Sequence, residues 1–157
     1  MTAFNTIKTG TILSEMNWDQ VEVWDFNGDG LAEVINFRDD GYDYMENNGA
    51  GSLYRSRTGT FPNKKHKISF GDFNGDRKID LLLTGWNDME WSEWQTLLST
   101  GSGFKSYSFP KKFNTYSKDI YVCDLNGDGN DDFFAVDKSS ENLSALKCFI
   151  GYDNGRN

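Results

Sequence analysis

Two prolines, two cysteines and a single histidine are all that 157 residues contain of these types, and no apolar run approaches the roughly 20 residues of a membrane-spanning helix. Each shortage excludes something. Cys123 and Cys148 lack CxxC spacing and have only His66 to join them, so neither a zinc site nor a dithiol redox centre is available. His66 has no serine or cysteine partner in a recognisable motif, which argues against nucleophilic hydrolysis, and the chain is not expected to be an enzyme. Basic residues number 16 against 24 acidic ones, and the net charge of −8 disfavours nucleic acid and anionic membranes as partners. The opening MTAFNTIKTG has neither the basic start nor the apolar stretch of a signal peptide. Both cysteines sit among apolar neighbours, YVCDL and LKCFI, and are expected to be buried free thiols.

What the chain does have is acid gathered in three places. DFNGDGLAEV begins at Asp25, DFNGDRKIDL at Asp72 and DLNGDGNDDF at Asp124, at intervals of 47 and 52 residues. A period of that size is the length of one four-stranded unit. The repeats run approximately over residues 17–63, 64–112 and 113–157, with 1–16 left over, inside a single domain spanning 1–157. Setting aside three acids per turn leaves the rest of the chain about neutral.

Counted from the first aspartate, oxygen-bearing side chains recur at positions 1, 3, 5 and 9. They are Asp25, Asn27, Asp29 and Glu33; Asp72, Asn74, Asp76 and Asp80; and Asp124, Asn126, Asp128 and Asp132. Hard oxygen donors alternating along a tight turn suit calcium, which takes six to eight oxygens at about 2.3–2.6 Å in irregular geometry. Position 7 is free to vary, as Leu31, Lys78 and Asn130 do, if it supplies only its backbone carbonyl. Carboxylates held this close without a cation repel one another, and a divalent ion reverses that penalty. Three calcium ions would bring the net charge to about −2. A bare Asn-Gly or Asp-Gly hairpin turn explains the glycines but not the acids at 1, 5 and 9. An EF-hand loop would need a glutamate at position 12, where this chain has Asn36, Leu83 and Ala135.

Short apolar runs flank every turn. VEVW, HKISF and DIYVC enter; EVINF, IDLLLT and DFFAV leave; YDYMENN and SLYRSRTGT, then EWQTLLST and GFKSYSF, continue the first two units. The expected class is therefore all-β, with four antiparallel strands per unit, the blade of a β-propeller, and about three blades.

In these loops, and most closely in SFGDFNGD, the chain resembles the FG-GAP and VCBS repeats of integrin α-subunit propellers and of many bacterial surface and toxin proteins. The likeness covers essentially the whole chain. It lacks a Gly-Ala-Pro tripeptide, which favours the bacterial VCBS form, and Arg77 stands where position 6 is usually glycine. If that position needs positive φ, arginine costs about 1 kcal/mol, and the second site should be the weakest.

The third unit ends after a third strand, in ALKCFIGYDNGRN, while FNTIKTGTIL at the start reads as a displaced fourth strand. Either that segment closes the third blade, in this chain or in a second copy of a ring-completing homodimer, or the chain is part of a longer propeller. The resemblance implies a calcium-binding module for protein or glycan recognition in an extracellular or cell-surface setting. The alternative is a non-catalytic propeller segment of a larger secreted hydrolase or lyase. Recognition is expected at the end opposite the acidic turns, where Trp18, Trp86 and Trp91 are candidate ligand-binding residues, whereas Trp94 is expected to start a strand and pack between blades.

Overall fold

The structure, a computed structural model, describes residues 20–38, 41–60, 66–85, 94–108, 115–140 and 143–149. Among them there is no helix. Eleven strands form three antiparallel sheets, and the chain divides into two compact units, Met1–Lys64 and Lys65–Asn157.

The first unit holds one four-stranded sheet in the order β1-β2-β3-β4: β1 Val21–Trp24, β2 Glu33–Arg38, β3 Gly41–Asn47 and β4 Leu53–Thr60. Its two central strands are buried on both faces. Ile35 and Phe37 alternate with buried Asn36 on β2, and Tyr42 and Tyr44 alternate with Asp43 on β3. Asp43 is held by Arg38 at 3.4 Å. Strand β1 lies at the sheet edge and leaves Val23 and Trp24 exposed.

The second unit contains two sheets. One has the order β5-β6-β7-β8: β5 His66–Gly71, β6 Asp80–Gly85, β7 Gln95–Ser99 and β8 Phe104–Ser108. The other has the order β11-β10-β9: β9 Thr115–Cys123, β10 Asp132–Ser140 and β11 Leu143–Phe149. The apolar run from Leu81 to Leu83 is completely buried, as a central strand covered on both faces requires. Leu82 of β6 and Phe73 of the turn between β5 and β6 meet Phe133 and Ala135 of β10, and Trp94 completes the cluster at 1% exposure. Ring centroids of Phe133 lie 6.2 Å from Phe73, edge on, and 5.8 Å from Trp94, so Trp94 does pack between sheets as expected.

This packing corrects the expectation that the cysteines are buried. Both are free, but both are exposed. Phe133 and Ala135 turn one face of β10 to the core, which turns Phe134 the other way. Cys148 pairs with Phe134 across the sheet, and Cys123 is two residues from Tyr121, which stacks on Phe134 at 4.9 Å and is itself 54% exposed. Apolar neighbours in the chain thus marked the strands correctly but not which face carries the thiols.

Position 12 of each turn settles the contrast with an EF-hand. Asn36, Leu83 and Ala135 are buried strand residues of β2, β6 and β10, not the closing ligands of a helix-flanked loop. The N-terminal segment 1–16 lies outside the described residues.

Candidate metal centres

Each acidic turn joins the first two strands of its sheet: β1 to β2, β5 to β6 and β9 to β10. The backbone needs two left-handed residues, at positions 4 and 6. Position 4 is Gly28, Gly75 and Gly127, with φ of 80°, 74° and 78°. Position 6 is Gly30 at 86° and Gly129 at 88°, but Arg77 at 66°, the only non-glycine with positive φ among the described residues. The expectation that arginine occupies a strained position is therefore correct, and the loop keeps its shape despite the cost.

The side chains repeat one set of bonds three times. The position-1 carboxylate accepts the amides of positions 4, 5 and 6. Asp25 Oδ1 takes Gly28 N–H at 2.7 Å and Asp29 N–H at 3.1 Å, while Oδ2 takes Gly30 N–H at 2.8 Å. Asp72 does the same with Gly75, Asp76 and Arg77, and Asp124 with Gly127, Asp128 and Gly129. These donors, Gly129 N–H foremost, hold the Asp124 carboxyl below the usual range. Position 3 (Asn27, Asn74, Asn126) accepts the amide of position 5, and position 5 (Asp29, Asp76, Asp128) that of position 7 (Leu31, Lys78, Asn130). Successive side chains are thereby folded back over their own loop.

Position 9 closes the base of the loop. Glu33, Asp80 and Asp132 are fully buried, and each accepts the amide of position 2, from Phe26 at 2.9 Å, Phe73 at 3.1 Å and Leu125 at 3.0 Å. Asp80 also takes Ser99 N–H at 2.7 Å, which ties the loop to the end of β7. Burial pushes Asp80 up to about 7, further raised by the Asp76 and Asp72 charges and opposed by the Ser99 and Phe73 amides. Burial raises Glu33 as well.

A family profile described as FG-GAP-like repeat matches residues 25–83 and 72–135. The chain belongs to the FG-GAP-like repeat family. Both matches begin at the first aspartate of a loop and run through the next loop into the strand beyond it, so the family unit is defined by consecutive loops. No curated protein matches the chain. The four-stranded antiparallel sheets are blades of the propeller type that this family builds.

In this FG-GAP chain the outer oxygen of position 5 meets a donor in all three copies. Asn27 Nδ2 lies 3.0 Å from Asp29 Oδ2 and 3.3 Å from Glu33 Oε1, Lys78 Nζ lies 2.8 Å from Asp76 Oδ2, and Asn126 Nδ2 lies 2.9 Å from Asp128 Oδ2. Among the described residues, no group of three or more histidine, cysteine, aspartate or glutamate side chains is drawn together closely enough to hold a metal ion. The donor set nevertheless fits calcium in its chemistry: all hard oxygen, no imidazole or thiolate, fixed residue by residue on one tight loop. Trp18, Trp86 and Trp91 lie outside the described residues.

One residue that joins two of the loops escaped the sequence reading. Asp131, at position 8 of the third loop, accepts Asp72 N–H at 2.8 Å through Oδ2, and its own N–H donates to Asp72 O at 2.7 Å. The signal was an acid at a position that holds Ala32 and Ile79 in the other copies. Gly71 makes room for it: a Cβ there would stand 2.8 Å from Val122 Cγ1 and 3.0 Å from Asp131 Oδ2.

Proposed function

We propose that the chain is a calcium-binding β-propeller repeat module of the FG-GAP-like type that serves protein or glycan recognition. Calcium would be held by positions 1, 3, 5 and 9 of each loop, Asp25 to Glu33, Asp72 to Asp80 and Asp124 to Asp132, with the backbone carbonyls of Leu31, Lys78 and Asn130. Its role there is structural: a divalent ion offsets the repulsion among the loop carboxylates and links binding to folding. The observation that carries the reading is that three loops of one chain place the same oxygen-bearing side chains at positions 1, 3, 5 and 9 around the same backbone bonds, a set that a bare hairpin turn does not require.

Recognition falls to the end opposite the loops, to which Trp18, Trp86 and Trp91 belong by sequence, and an extracellular or cell-surface setting supplies calcium at the concentration such loops need. Completion of a ring by a second copy is part of the same reading, and the exposed Tyr121 and Leu125 of the second unit are surfaces such a copy would cover.

Calorimetric titration of the metal-free chain with calcium tests the metal reading. Saturable uptake of about three ions is expected, together with a higher melting temperature. Absence of heat and of any thermal shift at millimolar calcium sinks it.

A further inference from the structure

We infer that Asp131 couples the second and third loops, so that filling the third loop raises the calcium affinity of the second. The inference rests on the calcium reading above and adds to it the sign of a coupling and the residue that carries it.

Asp131 grips Asp72 at two points, with its carboxylate on the Asp72 amide and its amide on the Asp72 carbonyl. Asp72 is the residue that organises the second loop, through its bonds to Gly75, Asp76 and Arg77. In its own loop, Asp131 stands between Asn130, whose amide is held by Asp128 Oδ1 at 2.8 Å, and Asp132, whose carboxylate holds Leu125 N–H. Both neighbours are expected calcium donors, one through its carbonyl and the other through its carboxylate. A cation in the third loop therefore fixes the chain on both sides of Asp131, and the clasp carries that order to Asp72. Asn130 adds a second contact: it is nearly buried, and its Oδ1 occupies the space where a Cβ on Gly75 would project.

The second loop has the greater need of such help. Arg77 strains it, and Lys78 Nζ already sits on Asp76, where a cation must displace it. Two dications in neighbouring loops repel, so electrostatics alone would make the third-loop ion weaken binding in the second. A favourable coupling has the opposite sign and identifies the clasp. Linkage makes it reciprocal, and couplings of this kind are about fivefold or more in affinity.

The test is calcium titration of the whole chain, with second-loop filling followed by the Gly75 and Arg77 amide resonances, in wild type, Asp131→Ala, Asp131→Asn, Asp124→Ala and the Asp124→Ala/Asp131→Ala double variant. Asp124→Ala, which disables the third loop, should weaken the second by about fivefold or more. Asp131→Ala should do the same, and the double variant should lose no more than either single one. Asp131→Asn keeps an oxygen for the Asp72 amide and should retain most of the coupling. These effects should persist at 1 M salt, where direct charge interactions are screened. Three filled sites with a second loop indifferent to Asp124→Ala and Asp131→Ala overturn the coupling alone, as do independent, multiplying losses. If Asp131→Ala does not fold, the response of the second loop to Asp124→Ala decides. No calcium uptake by the wild type overturns the calcium reading and the coupling together.

Discussion

The second and third loops carry the same side-chain types at positions 1, 3, 5 and 9, the same glycine at position 4 and the same bonds from those side chains to the loop backbone, yet they differ at positions 2, 6, 7 and 8. Position 6 is Arg77 in one and Gly129 in the other, both left-handed. Position 7 is Lys78, ion-paired to Asp76 at 2.8 Å, against Asn130, which packs on Gly75 of the neighbouring loop. Position 8 is Ile79 against Asp131, the clasp on Asp72. The donor set alone therefore does not rank two such sites. Under the calcium reading, strain at Arg77 and the Lys78 cation are expected to make the second loop the weaker site, while the clasp on Asp72 works in its favour.

The largest expected effect separates the loops by deletion. With calcium present at a hundredfold excess over Kd, each filled site contributes about 2.7 kcal/mol. Asp128→Ala should remove the larger third-loop share and Asp76→Ala the smaller second-loop share, and each variant should lose the same coupling, since linkage is reciprocal. Melting temperatures of both variants with calcium and with chelator measure this, and equal losses would erase the distinction between the loops.

A second effect is expected from pH. Asp80 has a folded-state pKa raised to about 7, against about 3.9 for an unfolded aspartate. Between those values the folded chain holds a proton that the unfolded chain has released. For metal-free protein, this group's contribution to stability is therefore fully present below about pH 4 and is lost as pH rises toward 7. Calcium competes with the same proton, so second-loop affinity should increase from pH 5.5 to 7.5. Asp80→Asn should flatten the metal-free slope measured by chemical unfolding at a series of pH values, and an unchanged slope would assign it to another group.

The smallest effect tests the strain directly. Arg77→Gly relieves about 1 kcal/mol of left-handed backbone cost but gives back part of it through the greater freedom of unfolded glycine. A net gain of about 0.5 kcal/mol is expected in urea unfolding without calcium, with tighter binding by the second loop alone. A loss of stability would mean that the Arg77 side chain contributes more than its backbone costs.

Much of the architecture was legible because its causes are local. VEVW, EVINF, HKISF, IDLLLT and DFFAV announce strands by composition, and the NGD core of each loop announces a turn with glycine at position 4. Arg77 could be named as strained before any φ was known, since its copies are glycines. The cysteines show where this stops. A run such as YVCDL is equally compatible with thiols on either face, and the exposed one was decided by Phe133 and Ala135 turning inward. Trp94 went the other way, with its place between sheets anticipated and then found against Phe133.

By itself, the sequence determined the strands, the repeat and the identity of the loop donors, because hydrogen bonding within a turn and alternation along a strand depend on residues a few positions apart. Only the tertiary structure decided that Asp131 belongs to Asp72, that Gly71 is empty space for Val122 and Asp131, and that Asp80 is shut away under Ser99. Those pairings join residues 19 to 60 positions apart, and no local preference specifies them. Asp80 meets Ser99 because β6 lies beside β7 in one sheet, and the other pairings exist because two sheets pack around Phe133, which places one loop's backbone within hydrogen-bonding reach of the next.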